Sequence, residues 1–229
     1  MIEEICRSYG DSDIKCKRRS IIIGNLTEHL IENGLRGFTF KKAYEVLEME
    51  KKSLYRYYPN VSMMIIDCVM LTQESSMQEL SHFIQTLTIP EPVKNGHGTG
   101  LQNFKKALYW LVDAGVSAET KNLTQLQYDF EIYIADLEDE RSVDHYKYLK
   151  SLIRQNQGFE QFLETALANG EIHIHEKDIP RYANICYQSV IAYTYRYTKK
   201  KHDNQYYTAD HLYTHVDMLM ESLKAIQHT

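Results

Sequence analysis

Apolar residues recur at steps of three and four along nearly the whole chain, and that spacing makes helix the structure that gathers them on one side. Ten glycines and four prolines in 229 residues leave few points of interruption. Ile23, Leu26 and Leu30 form one stripe, which Asn33-Gly34 ends with a residue able to take left-handed backbone. Phe40, Ala43 and Leu47 form a second, short stripe, and a third short helix over about 50–58 stops ahead of Pro59. Ile66, Val69, Met70, Met77, Leu80, Ile84 and Leu87 then keep one face apolar as far as Ile89-Pro90. Beyond the loop PEPVKNGHGTG, residues 90–100, the spacing predicts helices over about 101–117, 122–137, 143–168, 178–200 and 208–227. The charged run TKKKHDNQ, residues 198–205, parts the last two. The fold class expected is therefore all-α, a small N-terminal head of three short helices carrying a larger helical body.

Charge divides along the same line. Residues 15–60 hold ten Lys or Arg against five Glu, a local +5, whereas residues 61–229 hold fifteen against twenty-two, a local −7. A basic head on an acidic body favours an anionic partner at one end. No apolar run approaches the roughly 18 residues of a membrane span, and MIEEICRSYGDSDIKCKRRS is polar where a signal peptide is apolar. Cys6, Cys16, Cys68 and Cys186 are scattered with no CxxC spacing, which reads as reduced thiols in a cytoplasm.

The stretch KKSLYRYYP, Lys51 to Pro59, is the most informative in the head. On a helix, Leu54 and Tyr58 point inward together, leaving Lys51, Lys52, Ser53, Tyr55 and Tyr57 outward. Such a face suits a DNA major groove, with lysines for phosphates or guanine edges and phenols for thymine methyls or phosphates. It also suits an ordinary amphipathic helix with half-buried tyrosines.

From Arg19 to about Leu71 the sequence resembles, without a gap, the TetR family of bacterial transcription repressors. Glu32, Gly34, Thr39, Ser53, Leu54, Tyr55, Tyr57, Tyr58 and Asn60 fall in register with that family's head, and -SLYRYYPN- is the most specific part. LANGEIHIHEKDIPRYANICYQSVIAYTY, from Leu167, is similar to the family's entry into its penultimate helix.

The resemblance implies an N-terminal arm at 1–18, a helix-turn-helix DNA-binding domain at 19–62 and a regulatory and dimerisation domain at 63–229. It places Lys51, Lys52, Ser53 and Tyr55 at base edges, with Tyr57, Lys41 and the basic run Lys15, Lys17, Arg18 and Arg19 at further contacts; a flexible arm would bring the run to the backbone or minor groove. It pairs the last two helices with their copies in a four-helix bundle, with Cys186, Ser189, Tyr193, Leu212, Val216, Leu219 and Leu223 as interface candidates. It puts an effector pocket among the middle helices, with Tyr109, Trp110, Tyr128, Phe130, Tyr133, Tyr148 and Phe162 as lining candidates. The implied partners are a pseudo-palindromic duplex, a second copy and a small-molecule effector, with no cofactor and no membrane.

Three positions depart from the family pattern. Tyr44 replaces a small residue, Glu48 replaces a turn glycine, and Val61 replaces a phosphate-contacting lysine. They keep open a protein that binds DNA weakly or not at all and acts as an adaptor for another regulator. No GxSxG, HExxH or phosphate-cradling glycine loop appears, so an enzyme is not expected. His173, His175 and Glu176 could ligate a metal, as could His211 and His215, yet a polar turn and the rim of a subunit interface explain them without one.

Overall fold

The structure, a computed structural model, describes residues 1–88, 100–153, 157–198 and 208–226. The expected loop at 90–100, but for Gly100, and the charged run after Thr198 lie outside these residues. Among the described residues there are eleven α-helices and no strand. They are α1 (Ile2–Ser8), α2 (Asp13–Asn33), α3 (Phe40–Val46), α4 (Lys51–Tyr55), α5 (Val61–Thr88), α6 (Gly100–Val116), α7 (Lys121–Ala135), α8 (Glu140–Leu152), α9 (Gln157–Ala168), α10 (Ile179–Thr198) and α11 (Ala209–Ala225). The all-α reading stands.

Two expectations about the chain's course are corrected. Residues 1–18 are not a flexible arm: α1 and the first turns of α2 occupy them, and Ile5 is fully buried. The single helix expected over 143–168 is two, because Ile153 leaves helical backbone (φ −84°, ψ 111°) and turns its side chain into a core.

The helices form two compact units, each discontinuous in sequence. Met1–Met77 joins with Asn122–Arg154, and Gln78–Lys121 joins with Gln155–Thr229. The first unit thus takes in α7, α8 and the start of α5, well beyond the expected boundary at 62. Its core gathers Ile23, Leu26 and Leu30 of α2, Ala43 of α3, Leu54 of α4, Met64, Ile66 and Val69 of α5, Phe130 of α7 and Leu149 of α8. Residues 63–70 are buried all round, Asp67 included.

Local signals fix the short helices. Gly34 ends α2 at φ 74°, where an L side chain is disfavoured, and the Thr39 hydroxyl accepts the Lys42 amide at 3.2 Å to start α3. Asn60 starts α5 by accepting the Met63 amide at 2.8 Å, and its side-chain amide donates to Asp139 (3.0 Å) and Ser142 (3.2 Å) at the start of α8. The turn between α3 and α4 holds Glu48 at φ 50°, a left-handed position that favours glycine. We expect Glu48→Gly to stabilise the protein by about 1 kcal/mol, less what the more flexible unfolded chain takes back. A thermal melt that falls would show that the Glu48 side chain makes a compensating contact.

In the second unit α6 lies against α9, α10 and α11 at close range. A Cβ on Gly115 would stand 1.8 Å from Thr194 Cγ2, and one on Gly100 would stand 2.3 Å from the Ala166 amide nitrogen. The Glu171 carboxylate accepts the amides of Gly100 (3.1 Å) and Leu101 (3.0 Å), supplying the start of α6 with acceptors from seventy residues away.

Candidate nucleic-acid interface

The short helix α4 is set into the first unit by Leu54 and Tyr58, both fully buried. The helix proper ends at Tyr55, and a turn carries the chain to Tyr58, whose amide still bonds the Leu54 carbonyl at 3.1 Å. With those two anchors inside, Lys51, Lys52, Tyr55 and Arg56 face solvent, while Ser53 and Tyr57 are half-buried. The Tyr55 ring stacks on Phe40 of α3, centroids 4.4 Å apart and 13° from parallel, and Lys51 Nζ stands 5.8 Å from its centre. One aromatic pair therefore ties the two helices together and leaves 47% of Tyr55 exposed.

Lys41 and Lys42 on α3 are exposed as well, with Lys41 near Glu45 at 3.9 Å. Exposed Glu45, Glu48 and Glu50 lie among these cations and reduce the local positive charge. Arg18 of α2 is exposed and shares a surface groove of about 320 Å³ with Ser53, Arg56 and Tyr57. Tyr44 is half-buried at the edge of the core where Ala43 is fully buried.

Arg19 is a correction. Its side chain is completely buried and cannot reach a duplex. Nε and Nη2 donate to the two oxygens of Asp11 (2.6 and 3.3 Å), and Nη1 donates to the Tyr57 carbonyl at 2.8 Å. The guanidinium lies 3.6 Å from the Tyr9 ring centre and 4.8 Å from that of Tyr58. Burial pushes the Asp11 carboxyl up, but hydrogen bonds from Arg19 and Lys15 outweigh it and leave the group below its ordinary value.

Beneath α4 the network continues. Fully buried Asp67 of α5 pairs with His145 Nε2 of α8 at 2.6 Å, and the Tyr9 hydroxyl lies 3.5 Å from the same nitrogen. Burial holds the Asp67 carboxyl above its ordinary value despite His145, and it raises the phenols of Tyr9 and Tyr58 as well. Among the described residues, Asp67 Oδ2 and the Tyr58 hydroxyl find no hydrogen-bond partner of good geometry. An Asp–His pair can do acid–base chemistry, but one shut inside a core serves as a structural contact.

The cysteines are a second correction. Cys6 and Cys16 form a disulfide, because the turn between α1 and α2 brings their Cα atoms to 5.3 Å. Cys68 and Cys186 are free and buried, and burial raises their thiols to about 12 and about 11.

The expected effector residues fall into both units. Tyr128, Phe130, Tyr133 and Tyr148 belong to the first; Tyr109, Trp110 and Phe162 belong to the second. Phe130 and Phe162 are core, Tyr133 donates to Ser62 at 2.7 Å, Tyr148 is 40% exposed, and Trp110 stacks on Phe83 at 5.8 Å. Tyr109 donates to Asp217 at 2.6 Å, where Lys105 also binds, tying α6 to α11.

The expected subunit-interface residues also divide. Cys186, Leu212, Val216 and Leu223 are buried in this chain's own second unit, so they serve its core. Ser189, Tyr193 and Leu219 are half-buried, and the outward apolar side chains of α10 and α11 include Ile185 (47% exposed) and Met218 (63%). His215 bonds Ser189 at 2.6 Å and stacks on Tyr193, while His211 Nδ1 accepts the Thr208 amide at 3.1 Å to cap α11. Ile172 and Ile174 point in, leaving His173 and His175 in solvent, and among the described residues no three metal-binding side chains converge.

No helix among the described residues is long and apolar enough to cross a membrane. The chain matches no family model and no curated protein.

Proposed function

We propose that this chain is a TetR-like transcription regulator that binds double-stranded DNA through α3 and α4. The observation that carries the reading is α4 itself: Leu54 and Tyr58 anchor it while Lys51, Lys52, Tyr55 and Arg56 project from it. Base edges are met by Lys51, Lys52, Ser53 and Tyr55, and phosphates by Lys41, Tyr57 and Arg18. The acting species is a homodimer whose two α4 helices read half-sites about 34–36 Å apart, joined through the outward faces of α10 and α11. It works as a repressor in the cytoplasm, performs no chemistry of its own, and leaves its operator when a small molecule favours another state of the dimer. By linkage, DNA then weakens effector binding by the same factor. The glutamates at 45, 48 and 50 favour one second reading, an adaptor that needs another regulator to reach DNA.

The experiment is a selection of genomic duplex fragments by the purified full chain, followed by mobility shifts. Lys52→Ala combined with Tyr55→Ala is expected to weaken the selected duplex by about thirtyfold or more, at about 1–3 kcal/mol for each base contact, with dimerisation unchanged. If the unmodified chain enriches no duplex on its own, the adaptor reading replaces the repressor. If it enriches one and the double variant binds it equally, α4 is not the reading element.

A further inference from the structure

The disulfide and the buried arginine lie on one line of contacts ending at α4. Cys6 lies in the last turn of α1 and Cys16 at the end of the first turn of α2; residues 9–12 between the helices make a short loop with Gly10 at φ 64°. Near the middle of that loop stands Asp11, its side chain fully buried and its amide bonded to the Cys6 carbonyl at 3.0 Å. Asp11 holds Arg19 by two hydrogen bonds, and Arg19 holds the Tyr57 carbonyl. That carbonyl belongs to the turn leaving α4, between exposed Arg56 and buried Tyr58. The bridge spans the loop that carries Asp11, and Asp11 and Arg19 join that loop to the end of α4.

We propose that Cys6–Cys16 is a thiol–disulfide exchange site that regulates the set of α4, so that oxidation holds the duplex-reading side chains in place and reduction loosens them. This rests on the reading of α4 as the DNA-contacting helix.

The residues favour attack from one side. Cys6 is 4% exposed, while Cys16 is only half-buried, so an external thiolate reaches the Cys16 sulfur first. A dithiol reductant forms a mixed disulfide with Cys16 and expels the Cys6 thiolate, which takes up a proton. Its second thiolate then displaces Cys16, which is protonated in turn. Two electrons pass from the dithiol to the protein, the reductant leaves as its own disulfide, and hydrogen peroxide or another disulfide reverses the exchange. Reduction leaves α1 docked, because buried Ile5 and the 2.9 Å pair of the Met1 amine with Glu74 do not depend on the bridge. The result is a freer loop and a less restrained Tyr57 carbonyl, with the fold retained.

The test follows amide hydrogen exchange of residues 50–58 by mass spectrometry on the full chain, oxidised and after treatment with dithiothreitol. Reduction is expected to speed exchange across that segment about tenfold, through local opening, with little change in α10 and α11. Cys6→Ser with Cys16→Ser should match the reduced protein under both conditions. Asp11→Asn should match it with the bridge intact, because it weakens the hold on Arg19 directly. Equal exchange at 50–58 in oxidised and reduced protein overturns the proposal, as does slow exchange in Asp11→Asn. The selected duplex is then titrated in both states, and weaker binding by the reduced form, by about tenfold, completes the link to DNA. Duplex affinity that ignores the redox state while 50–58 loosens also overturns the regulatory step. A chain that binds no duplex in either state but still loosens at 50–58 fails the DNA reading and leaves the tether itself standing.

Discussion

Arg19→Ala is expected to lower the free energy of unfolding by about 3–5 kcal/mol, the range for removing one partner of a buried ion pair. The guanidinium is fully enclosed, and its loss strips Asp11 of two hydrogen bonds and the Tyr57 carbonyl of one. It also leaves a gap against the Tyr9 ring. Urea unfolding at pH 7 measures the effect, with exposed Arg18→Ala as the reference, expected to stay within about 0.5 kcal/mol of the parent. Two similar small losses would mean that Arg19 is reached by water and that the network is not what holds α1, α2 and α4 together. Acid should act through the same contact. Asp11 sits below its ordinary value, so its stabilisation is present above the unfolded carboxylate range and disappears as pH falls through the folded value. The acid limb of the stability curve should therefore be shallower in Arg19→Ala.

His145→Ala should cost about 3 kcal/mol near pH 7.5 and less near pH 4.5. The sign follows from Asp67. Burial holds that carboxyl above its ordinary value in the folded protein, so the fold binds more protons than the unfolded chain between the two values. Stability then declines as pH rises across that interval. Removing the imidazole takes away the pairing and hydrogen bond that pull Asp67 down, so the interval widens and the deficit grows towards alkaline pH. His145→Gln, able to donate one hydrogen bond to Asp67, should recover part of it. A deficit of equal size at pH 4.5 and 7.5 would show that the variant loses packing alone.

Much of this fold was legible beforehand, because stripes of three- and four-residue spacing translate directly into helices with one buried side. The α4 anchors were readable in the same way, since Leu54 and Tyr58 stand four apart. Arg19 carries a signal for burial in its register: it precedes Ile23, Leu26 and Leu30 by four, seven and eleven residues, on the face of α2 that they bury. Its place beside Lys15, Lys17 and Arg18 in a basic run masks that register. Asp67 was also visible as a carboxylate inside MMIIDCVM, where every neighbour is apolar and a partner becomes necessary. That the partner is His145, seventy-eight residues on, depends on tertiary contact that no local pattern carries. The Cys6–Cys16 pairing likewise needed the turn after α1, and the split of 143–168 needed a core for Ile153 to enter.

The side-chain amide of Asn60 reaches across seventy-nine residues to Asp139, and this has a consequence for engineering. The head cannot be cut out as a cassette: a fragment ending at residue 62 or 77 lacks α7 and α8, which complete its core. Moving it into another protein would require carrying residues 122–154 along, with the intervening excursion replaced by a linker. During synthesis the same layout means that the first unit cannot be completed before residues up to about 154 have been made, so α4 emerges for a long interval on an unfinished support.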